Sequence, residues 1–283
     1  MLTLHDIAEL RAHLNLPRRN GQRIALVPTM GNLHAGHLAL VDAARRDADV
    51  VVATIFVNPL QFGANEDFSS YPRTLEADTQ ALASHGCDIV FAPSADALYP
   101  HGLEAHTHVS VPDVSEGLCG ANRPGHFNGV ATVVSLLFNL VQPDVAYFGR
   151  KDYQQLMVIR KLVADLHFPI EVVGVPTQRA EDGLALSSRN GYLSAAQRQR
   201  APALYRTLCH MHDALRASES PPTTLRDGLA ALTEQGFKPD YLELRRAQDL
   251  GPIAPDTQEA ILLVAAHLGT TRLIDNLPVS LPR

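Results

Sequence analysis

The sequence has few cysteines and no close pair of them. Cys87, Cys119 and Cys209 lie far apart, which argues against a disulfide framework and suits a reducing cytoplasm. No apolar run approaches the length needed to span a bilayer, and there is no internal repeat or low-complexity tract. Basic charge is not in excess. The formal net charge is −6 and the pI about 6.1, which argues against broad nonspecific nucleic-acid binding but leaves room for a local basic pocket. Residues 1–14 carry Asp6 and Glu9 inside an amphipathic pattern and read as a surface helix, not a signal peptide. No Gly-x-Gly-x-x-Gly follows the first strand, which disfavours a dinucleotide-dependent oxidoreductase. What remains is 283 residues, 46% hydrophobic and 19% charged. That suffices for a packed core in one large domain or two ordinary ones.

The most informative stretch is Val27-Pro28-Thr29-Met30-Gly31-Asn32-Leu33-His34-Ala35-Gly36-His37. A short apolar run, 24–27, precedes it and reads as a buried strand; residues 38–45 follow with helical spacing. Strand, glycine-bearing turn and helix together present a phosphate site, because N–H groups and the helix dipole point at the ligand. His34 and His37 share a face if the turn is helical, and their ring nitrogens can meet phosphate oxygens. Gly31 and Gly36 let a nucleotide approach bare backbone. The same two histidines also read as half a metal site or as cap residues, although no nearby Cys or third His completes a zinc set.

Residues 50–57 are almost continuously apolar and β-branched, as in a strand covered on both faces. Asn58 and Gln61 lie just past its C-terminal end, where open α/β sheets bind ligands; they also suit a turn. A helix is expected over 74–84, a strand over 87–92 and a loop over 93–108. A glycine-rich loop, 118–129, carries Arg123 and His126 and opens onto an apolar helix, 130–141. A strand at 144–148 leads through Gly149 and Lys151 into a helix reaching about 166. Lys151 can place positive charge on phosphate. Asp152 can accept from ribose hydroxyls or cap the helix, and Gln155 shares its face. After a strand at 170–175 the pattern changes. Ser187, Ser188 and Arg189 match a polyphosphate tail or cap the next helix. Helices at 195–216 and 223–235 and strands at 241–246 and 260–268 complete the chain. Alternating strands and helices imply a Rossmann-like, doubly wound parallel sheet over residues 1–177. A smaller α+β lid over 178–283 is placed to close on a ligand.

Five segments together resemble the pantothenate synthetase family, the pantoate–β-alanine ligases of the HxGH-type nucleotidyltransferase superfamily. They are Pro-Thr-Met-Gly-x-Leu-His-x-Gly-His at 28–37, Phe-Val-Asn-Pro-x-Gln-Phe at 56–62, Arg-Pro-Gly-His-Phe at 123–127, Phe-Gly-x-Lys-Asp-Tyr-Gln-Gln at 148–155 and Leu-Ser-Ser-Arg-Asn at 186–190. Tyr-Leu-Glu-Leu-Arg at 241–245 and Arg-Leu-Ile-Asp-Asn at 272–276 also look familiar. The resemblance implies ATP and Mg²⁺, a cytoplasmic homodimer and small-molecule substrates, with no nucleic acid or membrane partner. It implies two steps. Pantoate's carboxylate attacks the α-phosphorus of ATP, giving pantoyl adenylate and pyrophosphate; the amine of β-alanine then displaces AMP to give pantothenate.

Residue by residue, the resemblance implies catalytic His37, His34, Lys151 and Arg189, with His37 stabilising charge on the transferring group or protonating pyrophosphate. It implies ATP binding by Pro28, Thr29, Met30, Gly31, His34, Gly36, His37, Gly149, Lys151, Asp152, Gln178, Leu186, Ser187, Ser188 and Arg189. Gln61 and Gln155 suit pantoate's hydroxyls, and Pro28, Met30 and Phe62 its methyls. Asn58, Arg123 and His126 are further candidates for pantoate or β-alanine. No metal ligand can be named. Rival readings are another adenylyltransferase of the superfamily and a nonenzymatic nucleotide sensor; only the enzymes release pyrophosphate.

Overall fold

The apolar, β-branched runs form the inner strands of a six-stranded parallel sheet. The structure, a computed structural model, describes residues 1–63 and 66–282. The chain opens with β1 (Leu2–Leu4), α1 (Ile7–Arg19), β2 (Ile24–Thr29), α2 (Ala35–Asp47) and β3 (Val50–Ile55). It continues with α3 (Leu75–Ser84), β4 (Ile89–Phe91), α4 (Ala95–Leu98), α5 (Leu118–Asn122), α6 (His126–Val141) and β5 (Val145–Gly149). Next come α7 (Tyr153–Asp165), β6 (Glu171–Val175), α8 (Ala195–Arg200), α9 (Ala203–Arg216) and α10 (Pro221–Glu234). The chain closes with β7 (Lys238–Arg246), β8 (Glu259–Leu268) and β9 (Thr271–Ser280).

The large sheet runs β1-β4-β3-β2-β5-β6, and every pairing in it is parallel. From β2 the chain steps outward through β3 to β4, then returns across α6 to lay β5 on the other side of β2. The order therefore reverses between β2 and β5. Ligands bind outside the carboxyl ends of strands at such a switch point. Both faces of the sheet are covered. Ile24 and Leu26 point to the layer of α1, α6 and α7, whereas Ala25 and Val27 point to α2 and α3. Leu10 and Leu14, four apart on α1, are fully buried, each contributing about 2 kcal/mol by its removal from water.

The smaller unit is an antiparallel meander, β7-β8-β9, with α9 and α10 packed on it. A fourth apolar patch of Leu118, Met157, Leu250, Ile261 and Leu263 seats this meander against α5 and α7. A doubly wound sheet with a smaller α+β unit is thus the fold. No helix among the described residues is long and apolar enough to cross a membrane.

Five expectations need correction. Residues 1–14 are not one helix: Leu2–Leu4 pair with β4, and the helix starts after Asp6, whose Oδ1 accepts from Ala8 N and Glu9 N at 2.8 and 3.0 Å. The helix expected over 195–216 breaks at Ala201–Pro202, where the proline ring has no N–H to continue the ladder. The loop 93–108 contains the short α4, capped by Ser94 Oγ. A third C-terminal strand, β9, was not anticipated. It pairs with β8 along its length and carries Pro278 at the sheet edge, where a missing donor is tolerated. The apolar helix also starts earlier than expected, at His126.

Candidate active site

Helix α2 begins at His34. Its backbone is extended, and its ring Nδ1 accepts from Gly36 N at 3.1 Å. His37 reciprocates, with Nδ1 3.4 Å from His34 N. The two rings are tilted at 39° to each other with centroids 4.1 Å apart. Glycine is required between them, because a Cβ at position 36 would lie 2.8 Å from the His34 ring. An Nδ1 that accepts a backbone N–H carries no proton, so both rings are Nε2–H tautomers with the donor facing away from their own turn. Electrostatics agree. Burial, then the charge of Lys151, lowers the His34 pKa to about 4. Burial, then His34, lowers that of His37 to about 3. At neutral pH both are uncharged hydrogen-bond donors.

The loop before them is held from α3. Asp78, buried, accepts from Asn32 N and Leu33 N at 2.9 and 2.8 Å and from the Thr74 hydroxyl at 3.0 Å. The signal for this role is weak: one acid at a helical position, with Thr74 four residues before it as a local partner. Thr29, an expected ATP contact, is buried and spends its hydroxyl on Thr54 O at 2.6 Å.

On the other side of the switch point, β5 ends at Gly149 and a single 3-10 turn, Arg150–Asp152, precedes α7. Lys151 Nζ lies 3.7 Å from Asp152 Oδ2. β2 and β5 pair side by side, so the two crossovers open at the same edge of the sheet, and the charges of Lys151 and Asp152 reach His34 and His37. A cleft of about 460 Å³ opens beside them, lined among others by Lys151, Asp152, Gln155, Arg123, His126, Ser187 and Arg189. The imidazole pair is not on the wall of that cleft.

The β3 exit supplies the next group. Gln61, buried, places Nε2 2.8 Å from Met30 Sδ. A thioether is a poor acceptor, so this amide keeps hydrogen-bonding capacity for a ligand. Asn58 does not. It is 1% exposed, and its amide is spent on Gln61 Oε1, Gly129 O, Leu60 N and the Tyr99 hydroxyl. Gly129 is required here, since a Cβ would lie 2.2 Å from Leu60 O. Asn58 therefore shapes the turn that carries Gln61 and stands outside the cleft.

Arg123 grips Glu66 with Nε and Nη2, both at 2.6 Å. Burial acts upward on the Glu66 pKa, but the guanidinium outweighs it and holds the carboxyl below its usual range. His126 donates from Nδ1 to Gln61 O at 2.8 Å and accepts from Arg123 at 2.9 Å. Burial and Arg123 lower its pKa to about 4. Arg189 pairs with Asp67 at 3.1 Å. Both arginines thus face acids that sequence reasoning passed over, because 63–70 carries no motif around them.

The segment after β6 closes the site. Gln178 O accepts from Leu186 N at 2.9 Å. The Leu186 Cβ lies 3.8 Å from where a Gly36 Cβ would be, and Ser188 Oγ donates to Asn32 O at 3.0 Å. Ser187 Oγ caps the following turn by accepting from Arg189 N at 3.3 Å, so the capping reading holds for this serine without removing Arg189 from the cleft. Pro28 and Met30, both half-buried, end β2 and open the loop. Among the described residues, no group of three His, Cys, Asp or Glu side chains is placed to hold a metal ion.

A sequence model of the family described as Pantoate-beta-alanine ligase matches residues 2–278. The chain is 90% identical over its full length, and that of the relative, to a pantothenate synthetase of Chromohalobacter salexigens. It is 60% identical to one of Azotobacter vinelandii, across 99% of this chain and all of the relative. The crystal structure of pantothenate synthetase from Thermus thermophilus superposes with a TM-score of 0.92 at 51% identity, covering 98% of this chain and 99% of that one. A pantoate-beta-alanine ligase from Francisella tularensis, complexed with beta-gamma ATP and beta-alanine, has a TM-score of 0.82 at 33% identity, covering 98% and 97%.

Proposed function

The chain belongs to the pantoate–β-alanine ligase family, and from that premise we propose how its residues carry out the ATP-dependent joining of pantoate to β-alanine. The observation that carries the reading is the meeting of two crossovers at one switch point, imidazole donors from one and Lys151 from the other. ATP lies with its phosphates toward the start of α2, where the helix dipole favours negative charge and each imidazole keeps an Nε2–H donor. Gly149, Asp152 and the backbone near Met30 and Gln178 border the nucleoside. Pantoate lies against Gln61 and Gln155.

In the first step a pantoate carboxylate oxygen bonds to the α-phosphorus, and the bond to pyrophosphate breaks. Two anions must meet, so the site works by supplying positive charge and fixed donors. Lys151 and Arg189 offset the charge on the phosphates. His37, neutral in this environment, stabilises charge by donating a hydrogen bond; an imidazole with so low a pKa is not charged to act as an acid near neutrality. In the second step the β-alanine amine bonds to the acyl carbon, the bond to AMP breaks, and the amine loses a proton to solvent. Positioning and exclusion of water suffice for this step, since the adenylate is already activated.

Residues 1–177 form the nucleotide and pantoate unit, and 178–283 form a lid. Mg²⁺ arrives on the triphosphate as part of that substrate, held by phosphate oxygens and water; no step is assigned to it. A cytoplasmic homodimer is the assembly we assign, the compartment being supported by three unpaired cysteines. The test is to mix protein, ATP, Mg²⁺ and pantoate and follow pyrophosphate, then add β-alanine and follow AMP. Pyrophosphate released before β-alanine arrives supports the adenylate; pyrophosphate that appears only after it refutes a two-step order.

A further inference from the structure

The unanticipated strand β9 reaches the site. Asn276, buried in β9, donates both N–H groups of its side-chain amide to the large unit, to Arg150 O at 2.9 Å and Lys151 O at 2.8 Å. These carbonyls belong to the 3-10 turn that carries Lys151. One primary amide can supply two donors from one nitrogen; a carboxylate of the same shape supplies none. The backbone of Asn276 is itself held. Asn276 N donates to Asp275 Oδ1 at 2.8 Å, and Arg179 grips the Asp275 carboxylate at 2.6 and 2.8 Å. Arg179 in turn lies 3.6 Å over the Tyr205 ring, and residues 179 and 185 bridge to form the bend that leads into Leu186–Arg189. One buried network thus touches both segments that bring cations to the phosphates.

We propose that Asn276 is a positioning residue for the ligase reaction. Through the two carbonyls it sets the turn bearing Lys151, and through Asp275 and Arg179 it ties that turn to the Ser187–Arg189 segment. The inference rests on the role given above to Lys151. Asn276 borders the cleft, but its amide nitrogen is spent on the two carbonyls; it determines where the ammonium group stands when the pantoate carboxylate reaches the α-phosphorus.

The test is single-turnover pyrophosphate release by the full chain, with ATP, Mg²⁺ and pantoate. Asn276→Ala is expected to slow release on the order of ten-fold or more while the KM for pantoate stays close to that of the parent. The loss should largely vanish when Asn276→Ala is made in a Lys151→Ala background, because the two residues act as one. Asn276→Asp keeps the shape and removes the donors; it serves as the second variant should the alanine form fail to fold, with the same expectation. A purely structural role would give losses that multiply in the double variant, and that result overturns the inference. A slow Lys151→Ala beside a normal Asn276→Ala and Asn276→Asp also overturns it, leaving the reading of Lys151 intact. A normal Lys151→Ala overturns the Lys151 reading and this inference with it.

Discussion

The two turns that meet at the switch point are braced in opposite ways. The turn after β2 is held largely from within: the His34 ring accepts from Gly36 N, the His37 ring faces His34 N, and Gly36 makes room for the fold-back. The turn after β5 has no side-chain cap of its own at Asp152. Its carbonyls are held by Asn276, more than a hundred residues downstream. A brace made within one turn is written in consecutive letters. A brace made by a distant strand is visible only once the chain has folded. The comparison also sorts the chemistry. The self-braced turn presents neutral donors on a helix start, while the borrowed one presents an ammonium whose turn is anchored from outside.

Five measurements would break or sharpen that contrast. The largest effect is expected for His37→Ala, which removes a donor and half of the reciprocal cap. Pyrophosphate release should fall on the order of a hundred-fold, with pantoate binding little changed; unaltered single-turnover rates would remove its role. Asp78→Ala leaves Asn32 N and Leu33 N without their buried acceptor and should lower stability by about 2 kcal/mol, read as a shift in the urea midpoint. No shift would show that the β2 turn needs no help from α3.

Gly36→Ala should push the His34 ring aside and cost release on the order of ten-fold, although no charge is altered. A parent rate would mean that the imidazole pair tolerates displacement. The pH response follows from the lowered pKa values. Native His34 and His37 stay neutral until pH nears about 4 and 3, whereas an unfolded histidine takes its proton near 6.5. Their contribution to stability is therefore complete above that value and is lost as pH falls toward the folded values. Pyrophosphate release should accordingly show no inflection of histidine origin near pH 6.5. An inflection there that disappears in His37→Gln would contradict neutral donors. The smallest effect is expected for Asp67→Asn. Freeing Arg189 from its partly exposed partner should lower the KM for ATP by about two-fold, because such pairs are weak; a raised KM would mean that Asp67 orients the guanidinium.

Much of the large unit was legible. The runs at 24–27 and 50–57 became inner strands because continuous apolar residues can be buried on both faces, whereas 170–175 became the partly buried edge strand β6. The smaller unit was less so. β9 mixes Arg272, Asp275 and Asn276 with apolar residues, so its period is blurred by the same polar groups that link it to the other segments. Asn58 is the converse case: a polar residue at a strand's C-terminal end looks like a ligand contact, and only the fold shows that its amide bonds to Gly129 O and the Tyr99 hydroxyl.

By itself, the sequence determined the alternation of strand and helix, the capped imidazole pair and the cations that follow later, since each depends on residues within a few positions of one another. Tertiary structure alone decided which of these groups share a cleft, which acids confront the arginines, and that Asn276 anchors Lys151. Those outcomes depend on surfaces that meet only after burial of apolar area has driven the two sheets together, and hydrogen bonds across such a seam leave no period in the chain.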